Sequence, residues 1–242
     1  MLLSILSGGN LVDILIELLL LLPVVMLALA FHETAHGYVA YKCGDNTAYN
    51  LGRLTLNPLR HLDPIGFLCM LVFGFGWAKP VPINTRNFRN PKRDMALSAA
   101  AGPVANLLLG LISCLFAGLF LALQTYLQFV SDSQFLLTCT ELFTTLCINS
   151  AYLNFVFAVF NLIPIPPFDG SRLALVFLPP KTYFGIMKYE RQIMFGLLIS
   201  LLVLSYVFDF SPFGWIAQKL TNLVTIPVAN GIWSLLRSTL SF

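Results

Sequence analysis

Two of the three histidines in this 242-residue chain flank a glutamate, in the sequence His32-Glu33-Thr34-Ala35-His36. If this segment is helical, the two imidazoles lie one turn apart on the same face and can reach a single cation. Glu33 then projects to an adjacent side, where its carboxylate can take a proton from water and pass it to a leaving amine. Two histidines, a carboxylate and an open coordination position are typical of a zinc hydrolase, so we predict one zinc ion here.

A third metal ligand has to come from a distant part of the chain, and Asp169 is the best candidate. It follows a stretch in which Pro164, Pro166 and Pro167 each remove a backbone donor. We therefore expect the helix that ends near Ile163 to unwind into an extended segment. Irregular backbone at membrane depth is tolerated where it lines a cavity, so this segment can hold Asp169 beside the histidine pair. The alternative is a loop aspartate that caps a turn.

The elements that position these residues have to be membrane helices. Of the 242 residues, 57% are hydrophobic and only 10% are charged, against roughly a quarter charged in an ordinary soluble domain. Four apolar runs reach or approach the about 20 helical residues that cross a bilayer core: 14–31, 95–123, 151–163 and 194–208. We predict an all-α membrane protein, a polytopic bundle of about four to six transmembrane helices. Residues 1–242 would form a single membrane-embedded domain.

The distribution of Lys and Arg predicts the orientation of this bundle. Apart from two near the C terminus, the basic residues fall in two stretches, 42–93 and 172–191. The positive-inside rule places both stretches in the cytoplasm, so an even number of crossings separates them. The apolar runs on either side of a turn around 131–134 supply two crossings. The first span then runs inward, and both His32 and Asp169 approach the cytoplasmic face.

Three shorter segments need their own interpretation. Residues 64–76, about thirteen apolar residues between a Pro and a Gly, are too short for a standard crossing, and we expect a re-entrant or interfacial element. Residues 47–56 resemble a short strand pair, which would form a small membrane-associated β element. Residues 215–236 mix polar and apolar side chains and fit either a last span or a helix in the interface. Five basic residues before the second long span are expected to face solvent or lipid headgroups: Arg53, Lys79, Arg86, Arg89 and Lys92.

Together these motifs resemble the site-2 protease family of intramembrane zinc metalloproteases. The resemblance covers most of the chain and rests on five tracts: HETAH at 32–36, residues 52–64, residues 76–84, AGPVAN at 101–106, and residues 161–170. It is nearest to the small prokaryotic form, without a PDZ domain or a C-terminal nucleotide-binding CBS module. The resemblance implies that the two histidines and Asp169 bind zinc. It also implies that Glu33 is the general base.

The same resemblance implies regulated intramembrane proteolysis, the hydrolysis of peptide bonds within transmembrane segments of membrane-protein substrates. The expected location is a prokaryotic cell membrane, with the active site towards the cytoplasm. The expected partners are a substrate helix and the lipid bilayer, with no nucleic acid, and the oligomeric state is open. A substrate helix hides its amides in hydrogen bonds and has to unwind first, and residues 47–56 could accept it by edge pairing.

Three polar residues outside the main motif each have two open roles. Asn161 lies near the expected unwinding point and either assists catalysis, by donating to the oxyanion or orienting the peptide, or bonds its own helix backbone. Asn106 follows a Gly-Pro pair at the start of the second long span and either contributes to substrate binding or packs between helices. His61 is the histidine outside the motif, and it either contacts substrate, as the resemblance suggests, or forms part of a turn.

Two other functions also fit the residues. A metal transporter or channel would use the same His and Asp side chains as a transit site, but it predicts several weak polar stations along a path. A non-catalytic homologue would bind membrane proteins without cutting them, and it would not need the ligand and base residues that this chain retains. Both remain alternatives, and substitution of Glu33 by Gln separates them from a protease.

Overall fold

The computed structural model describes residues 10–73, 77–174, 177–208 and 211–238. In these ranges the chain forms helices joined by irregular segments, and the only β pairing is an isolated antiparallel bridge between Leu62 and Ala78. The helices are α1 (Leu11–Lys42), α2 (Thr47–Asn50), α3 (Pro64–Phe73), α4 (Pro91–Val130), α5 (Gln134–Asn161), α6 (Asp169–Ala174), α7 (Pro180–Met187), α8 (Glu190–Phe208) and α9 (Pro212–Arg237). Short 3-10 turns occupy Pro58–Arg60 and Thr85–Asn87.

Three of the described helices, α1, α4 and α5, are long and apolar enough to cross a bilayer. With 40 and 28 residues, α4 and α5 extend about 60 and 42 Å, beyond the ~30 Å of a hydrocarbon core. Residues 131–133 join them in a tight turn, as expected. The predicted helical, multi-pass membrane protein is confirmed, while the number of four to six spans stays a prediction.

The helix termini follow from local sequence. Asn90 caps α4 by accepting a hydrogen bond from the Arg93 backbone N–H, and Pro91 occupies the first helical position, where its missing N–H costs nothing. α5 ends at Asn161, just before the proline-rich stretch, as predicted. Residues 162–168 form turns and bends rather than an extended segment, and Asp169 is the first residue of α6.

The predicted strand pair at residues 47–56 is wrong. Asp45 accepts hydrogen bonds from the backbone N–H and the hydroxyl of Thr47, the first residue of the helical turn α2, whose N-cap is Asn46. Gly52 then adopts a φ of 64°, a left-handed conformation that reverses the chain and that glycine tolerates best. Residues 53–57 continue without a strand partner in the described part of the chain. Edge pairing of a substrate with this segment therefore has no support.

Residues 64–76 correspond to α3, except for residues 74–76, which lie outside the described residues. The ten residues of α3 extend about 15 Å, which is too short for a crossing, as expected. Its re-entrant course stays a prediction. The C-terminal helix α9 packs against α4 and α5, and both interpretations of residues 215–236, a last span or an interfacial helix, stay predictions.

Small residues allow the bundle helices to pack closely. The core of α4, α5 and α9 contains Cys114, Ala151, Phe155 and Ala217. At Gly110 of α4, an added Cβ would lie 2.8 Å from the Phe155 ring, so a side chain at this position would separate α4 from α5. Close approach through small residues is the usual way in which membrane helices associate.

The loops before α4 are ordered by a buried arginine. Arg53 is only 9% exposed, and its guanidinium donates to the carbonyl oxygens of Lys79 (2.8 Å) and Pro80 (3.3 Å). The expectation that Arg53 faces solvent or headgroups is therefore wrong. The sequence pattern could not reveal this, because the acceptors are backbone carbonyls far away in the chain. The contact holds the segment before Val81 against the rest of the protein.

Candidate metal centre

Two imidazoles and one carboxylate converge between α1, α4 and α6. His32 and His36 lie on one face of α1, and each is 7% exposed. Their Nε2 atoms are 3.0 Å apart, and Oδ2 of Asp169 lies 3.1 Å from each of them. The structure thus brings together the three residues predicted as metal ligands, in a nearly equilateral triangle of potential donor atoms.

The hydrogen bonds of the two imidazoles leave both Nε2 atoms free to bind a cation. The Nδ1–H of His36 donates to the Ser98 carbonyl oxygen at 2.7 Å. The Nδ1–H of His32 donates to Oδ1 of Asn106 at 2.5 Å. In a neutral imidazole only one nitrogen carries a proton, so a proton on Nδ1 leaves a lone pair on Nε2. This arrangement of outer hydrogen bonds is common for histidines that bind metals.

The donor set fits a zinc ion. Oδ2 of Asp169 is buried and has no hydrogen-bond donor, and it faces two Nε2 lone pairs at 3.1 Å. Three electron-rich atoms at such distances repel one another unless a positive charge compensates. A cation at the centre would attract all three atoms at once. Two imidazole nitrogens and one carboxylate oxygen are a usual zinc set that leaves a fourth position open.

Glycine at position 102 makes this arrangement possible. A Cβ at Gly102 would lie 2.4 Å from Nε2 of His36 and 2.6 Å from Cε1 of His32. The backbone of α4 therefore lies directly against both rings. The Gly-Pro pair before Asn106 predicts close helix packing, but it does not by itself indicate that Gly102 is part of the site. The AGPVAN tract is the signal that could have identified it.

A second glycine positions Asp169. A Cβ at Gly170 would lie 2.4 Å from the carbonyl oxygens of both Leu162 and Ile163. Helix α6 thus begins in contact with the backbone that follows α5, and this contact sets the position of the Asp169 side chain. The proline-rich turn and Gly170 act together. The turn brings α6 back towards the end of α5, and the glycine allows α6 to contact the backbone there.

The carboxylate of Glu33 is oriented by a backbone amide. Its Oε2 accepts a hydrogen bond of 2.8 Å from the Val81 N–H. Val81 directly follows the two carbonyl groups that Arg53 holds. Glu33 is half-buried and lies next to His32 in the chain, so a carboxylate of fixed orientation accompanies the three converging atoms.

The other three candidate residues have definite hydrogen-bond partners. Nδ2 of Asn161 donates to the Phe157 carbonyl oxygen at 3.0 Å, the backbone bond that the sequence left as an alternative. His61 is 2% exposed, and its Nε2–H donates to the Thr55 carbonyl oxygen at 2.8 Å. The Thr34 hydroxyl donates to the same carbonyl at 2.7 Å. Thr34 lies two residues from each motif histidine, so this contact is on the opposite face of α1.

Asn106 contacts the site through a histidine rather than through an open surface. Its side chain is fully buried, with Oδ1 bonded to His32 and Nδ2 bonded to Oδ1 of Asn154 at 2.7 Å. No part of this amide is left for a substrate, which disfavours the predicted substrate-binding role. Asn154 is not among the residues predicted from the sequence, although an amide within an otherwise apolar helix at membrane depth usually indicates a specific contact.

Comparison with known proteins identifies the family. The model of peptidase family M50 matches residues 20–204, a range that contains both motif histidines, Glu33 and Asp169. The chain belongs to peptidase family M50. The membership expected from the sequence motifs is thereby confirmed.

Relatives of this M50 chain occur in bacteria. It is 43% identical over 155 residues to "Putative zinc metalloprotease YwhC" of Bacillus subtilis, which covers 64% of this chain and 67% of the relative. It is 27% identical over 186 residues to "Putative zinc metalloprotease Rip2" of Mycolicibacterium smegmatis, covering 74% and 64%. The protein of the same name from Mycobacterium tuberculosis is 26% identical over 183 residues, covering 73% and 64%. The chain therefore spans slightly less than two thirds of the Rip2 proteins. No solved structure matches it.

Proposed function

We propose that this M50 peptidase is an intramembrane zinc metalloprotease that cleaves a peptide bond within a membrane-spanning segment of a protein substrate. The observation that carries the proposal is the convergence of the Nε2 atoms of His32 and His36 with Oδ2 of Asp169, at 3.0 to 3.1 Å. The names of the relatives, "Putative zinc metalloprotease YwhC" and "Putative zinc metalloprotease Rip2", support the choice of metal. Three long apolar helices support the membrane location.

The proposed roles follow from chemistry at each position. His32, His36 and Asp169 would hold the zinc ion, which when bound supplies a Lewis acid that polarises a carbonyl and lowers the pKa of a water molecule. Glu33 would accept the proton from that water and donate it to the leaving amine. The Val81 N–H donates to a carboxylate oxygen of Glu33 and so fixes the orientation of the proposed base.

The remaining predicted residues receive more limited roles. Asn161 would stabilise the oxyanion or orient the peptide after its amide leaves the Phe157 carbonyl, and its position at the end of α5 supports this proposal. Asn106 would orient His32. For His61, burial and the bond to Thr55 support the turn role, in which it attaches the loop to α1.

The site is proposed to lie within the membrane, towards the cytoplasm of a prokaryotic cell. His32 lies ten residues before the end of α1 at Lys42, about 15 Å along the helix axis. Lys42 begins the longer of the two basic stretches that the positive-inside rule assigns to the cytoplasm. Residues 1–242 would form one domain, and the substrate would be a membrane helix that unwinds near the zinc.

The test compares zinc content and proteolysis in two variants of the purified chain in lipid vesicles. We expect Glu33→Gln to keep zinc and to lose cleavage of a co-reconstituted single-span membrane protein, because only the base is removed. We expect Asp169→Asn to lose zinc as well. Glu141→Gln is the matched control, since Glu141 is an exposed acidic residue on α5.

Three results would contradict the proposal. One is cleavage by Glu33→Gln at the wild-type rate. Another is an unchanged zinc content in Asp169→Asn. The third is zinc flux into the vesicles that survives Glu33→Gln, which would identify a transporter. Wild-type protein that binds zinc but never cleaves any of a panel of tagged single-span proteins would support the non-catalytic alternative.

A further inference from the structure

A chain of hydrogen bonds runs from the backbone of α5 to His32. Nδ2 of Asn154 donates to the Ser150 carbonyl oxygen at 2.8 Å, and Oδ1 of Asn154 accepts from Nδ2 of Asn106 at 2.7 Å. Oδ1 of Asn106 in turn accepts from Nδ1–H of His32. Both asparagines are fully buried. Neither amide can exchange a partner with water.

The donor and acceptor roles along this series of hydrogen bonds are determined by the group at its end, the Ser150 carbonyl. A backbone carbonyl can only accept, so the amide NH2 of Asn154 has to face Ser150 and its oxygen has to face Asn106. Asn106 then presents its NH2 to Asn154 and its oxygen to His32. The carbonyl oxygen of Ala28, 3.4 Å from Nδ2 of Asn106, favours the same orientation weakly. An oxygen facing Nδ1 requires the proton of His32 to be on Nδ1.

We propose that Asn154 is a positioning residue for the metal centre: it orients Asn106, which selects the His32 tautomer whose Nε2 can bind a cation. This inference rests on the proposed function, because it needs His32 to be a zinc ligand. His36 obtains the same tautomer directly from a backbone carbonyl, that of Ser98. The partner of His32 is instead the side-chain amide of Asn106. An amide can flip, and it presents either its oxygen or its NH2 group unless another contact fixes its orientation.

A purely structural role for Asn154 predicts a different ranking of variants. Leucine has a similar size and suits a membrane interior, whereas aspartate at this depth is costly. Stability alone therefore ranks Asn154→Leu above Asn154→Asp. The positioning role predicts the reverse order for zinc affinity. An aspartic acid keeps an oxygen towards Asn106 and, when protonated by burial, an O–H towards Ser150, whereas leucine leaves the Asn106 amide unheld.

The experiment measures the zinc dissociation constant of the full chain in detergent by competition with a chelator. We expect Asn154→Leu to weaken zinc binding by about 10- to 100-fold, the usual effect of removing an outer hydrogen bond, and Asn154→Asp to stay close to wild type. The double variant with Asn106→Leu should bind no more weakly than Asn106→Leu alone, because both changes act through one contact. Thr144→Val is the matched control, since Thr144 is a buried polar residue on the same helix whose hydroxyl donates to the Thr140 carbonyl oxygen.

A second measurement needs no metal. With only three histidines in the chain, 15N labelling of the rings reports the tautomer of each, and substitution of His61 assists the assignment. We expect the metal-free wild type to carry the His32 proton on Nδ1 and Asn154→Leu to show a mixture of tautomers. If the leucine variant does not fold, Asn154→Ala removes the same contacts without added bulk.

The outcomes separate this inference from the proposed function. If His32→Ala binds zinc as well as wild type does, the proposed metal centre is wrong and the inference is wrong with it. If His32→Ala abolishes zinc binding but Asn154→Leu binds zinc with wild-type affinity and keeps one tautomer, only the inference is overturned. Equal losses for Asn154→Leu and Asn154→Asp would also overturn it, since they would indicate a packing role.

Discussion

Replacement of Gly102 by alanine tests the metal centre with the smallest possible change. The new Cβ would lie 2.4 Å from Nε2 and 2.5 Å from Cε1 of His36, and 2.6 Å from Cε1 of His32. Ordinary contact begins at 3.4 Å, so the rings or the helix backbone have to move by about 1.0 Å, the difference from 2.4 Å. Metal–ligand distances tolerate only about 0.2 Å. One methyl group thus displaces two proposed ligands by several times the permitted amount.

The expected loss of zinc affinity is larger than the expected loss of stability. Removal of an outer partner alone costs 10- to 100-fold, so displacement of the ligands themselves should cost more than about 100-fold, or about 2.7 kcal/mol. For folding, overpacking costs about 1–3 kcal/mol, while alanine gains about 1 kcal/mol over glycine in a helix. The free energy of unfolding of the metal-free protein should therefore fall by only about 0–2 kcal/mol.

The assay combines a chelator competition for zinc with thermal unfolding of the metal-free protein followed by circular dichroism. Gly118→Ala is a matched control on the same helix, because its Cβ would lie 2.6 Å from Cγ1 of Val228 on α9. We expect similar destabilisation in both variants and weaker zinc binding only in Gly102→Ala. Wild-type zinc affinity in Gly102→Ala would refute the close approach of α4 to the two imidazoles.

Three further predictions concern other parts of the molecule. Gly170→Ala should weaken zinc binding in the same competition assay, because its Cβ would lie 2.4 Å from two carbonyl oxygens after α5 and so displace α6; unchanged affinity would contradict this. Asn161→Ala should lower kcat about 10²- to 10³-fold with zinc retained if its amide reaches the oxyanion. A loss below tenfold would show that Asn161 only bonds the helix backbone. Burial disfavours the charge of Asp45, but four hydrogen bonds outweigh it and hold its pKa below the usual range. The ionised Asp45 carboxylate therefore makes its full contribution to the free energy of unfolding above about pH 4, and this contribution is lost as the pH falls through the lowered pKa. Asp45→Asn should lower the unfolding free energy by about 1–2 kcal/mol at pH 7, and denaturant titrations should show the difference from wild type narrowing in acid; a constant difference would contradict the assignment.

Part of the proposed metal site could be predicted from the sequence, because that part depends on short-range rules. A helical period of 3.6 residues places His32 and His36 on one face. Three prolines end α5 before Asp169. The contacts that surround the triad could not be predicted in this way. The approach of Gly102 and the bond from Asn154 depend on how α1, α4 and α5 pack, and no local pattern specifies that packing.

Two errors have a similar origin. Residues 47–56 have alternating apolar positions, but the hydrogen bonds of Asp45 and the positive φ of Gly52 produce a helical turn and a reversal. Arg53 looks like a surface cation among other basic residues, but its partners are the carbonyl groups of Lys79 and Pro80. In both cases specific hydrogen bonds or a backbone conformation determine the structure. A local pattern reports only the composition of the segment, so it cannot reveal them.

The contacts of α4 with the histidines form a single stripe. Ser98, Gly102 and Asn106 are spaced four residues apart, so they lie along one face of α4. His36 contacts Ser98, His32 contacts Asn106, and Gly102 lies against both rings. The order is reversed between the two helices, so α1 and α4 are antiparallel where they meet, which agrees with one span running inward and the next outward. A shift of α4 by one residue would turn this face by about 100° and remove all three contacts together. The HETAH segment of α1 is therefore only one part of the arrangement, and the four-residue spacing of Ser98, Gly102 and Asn106 on α4 is the other.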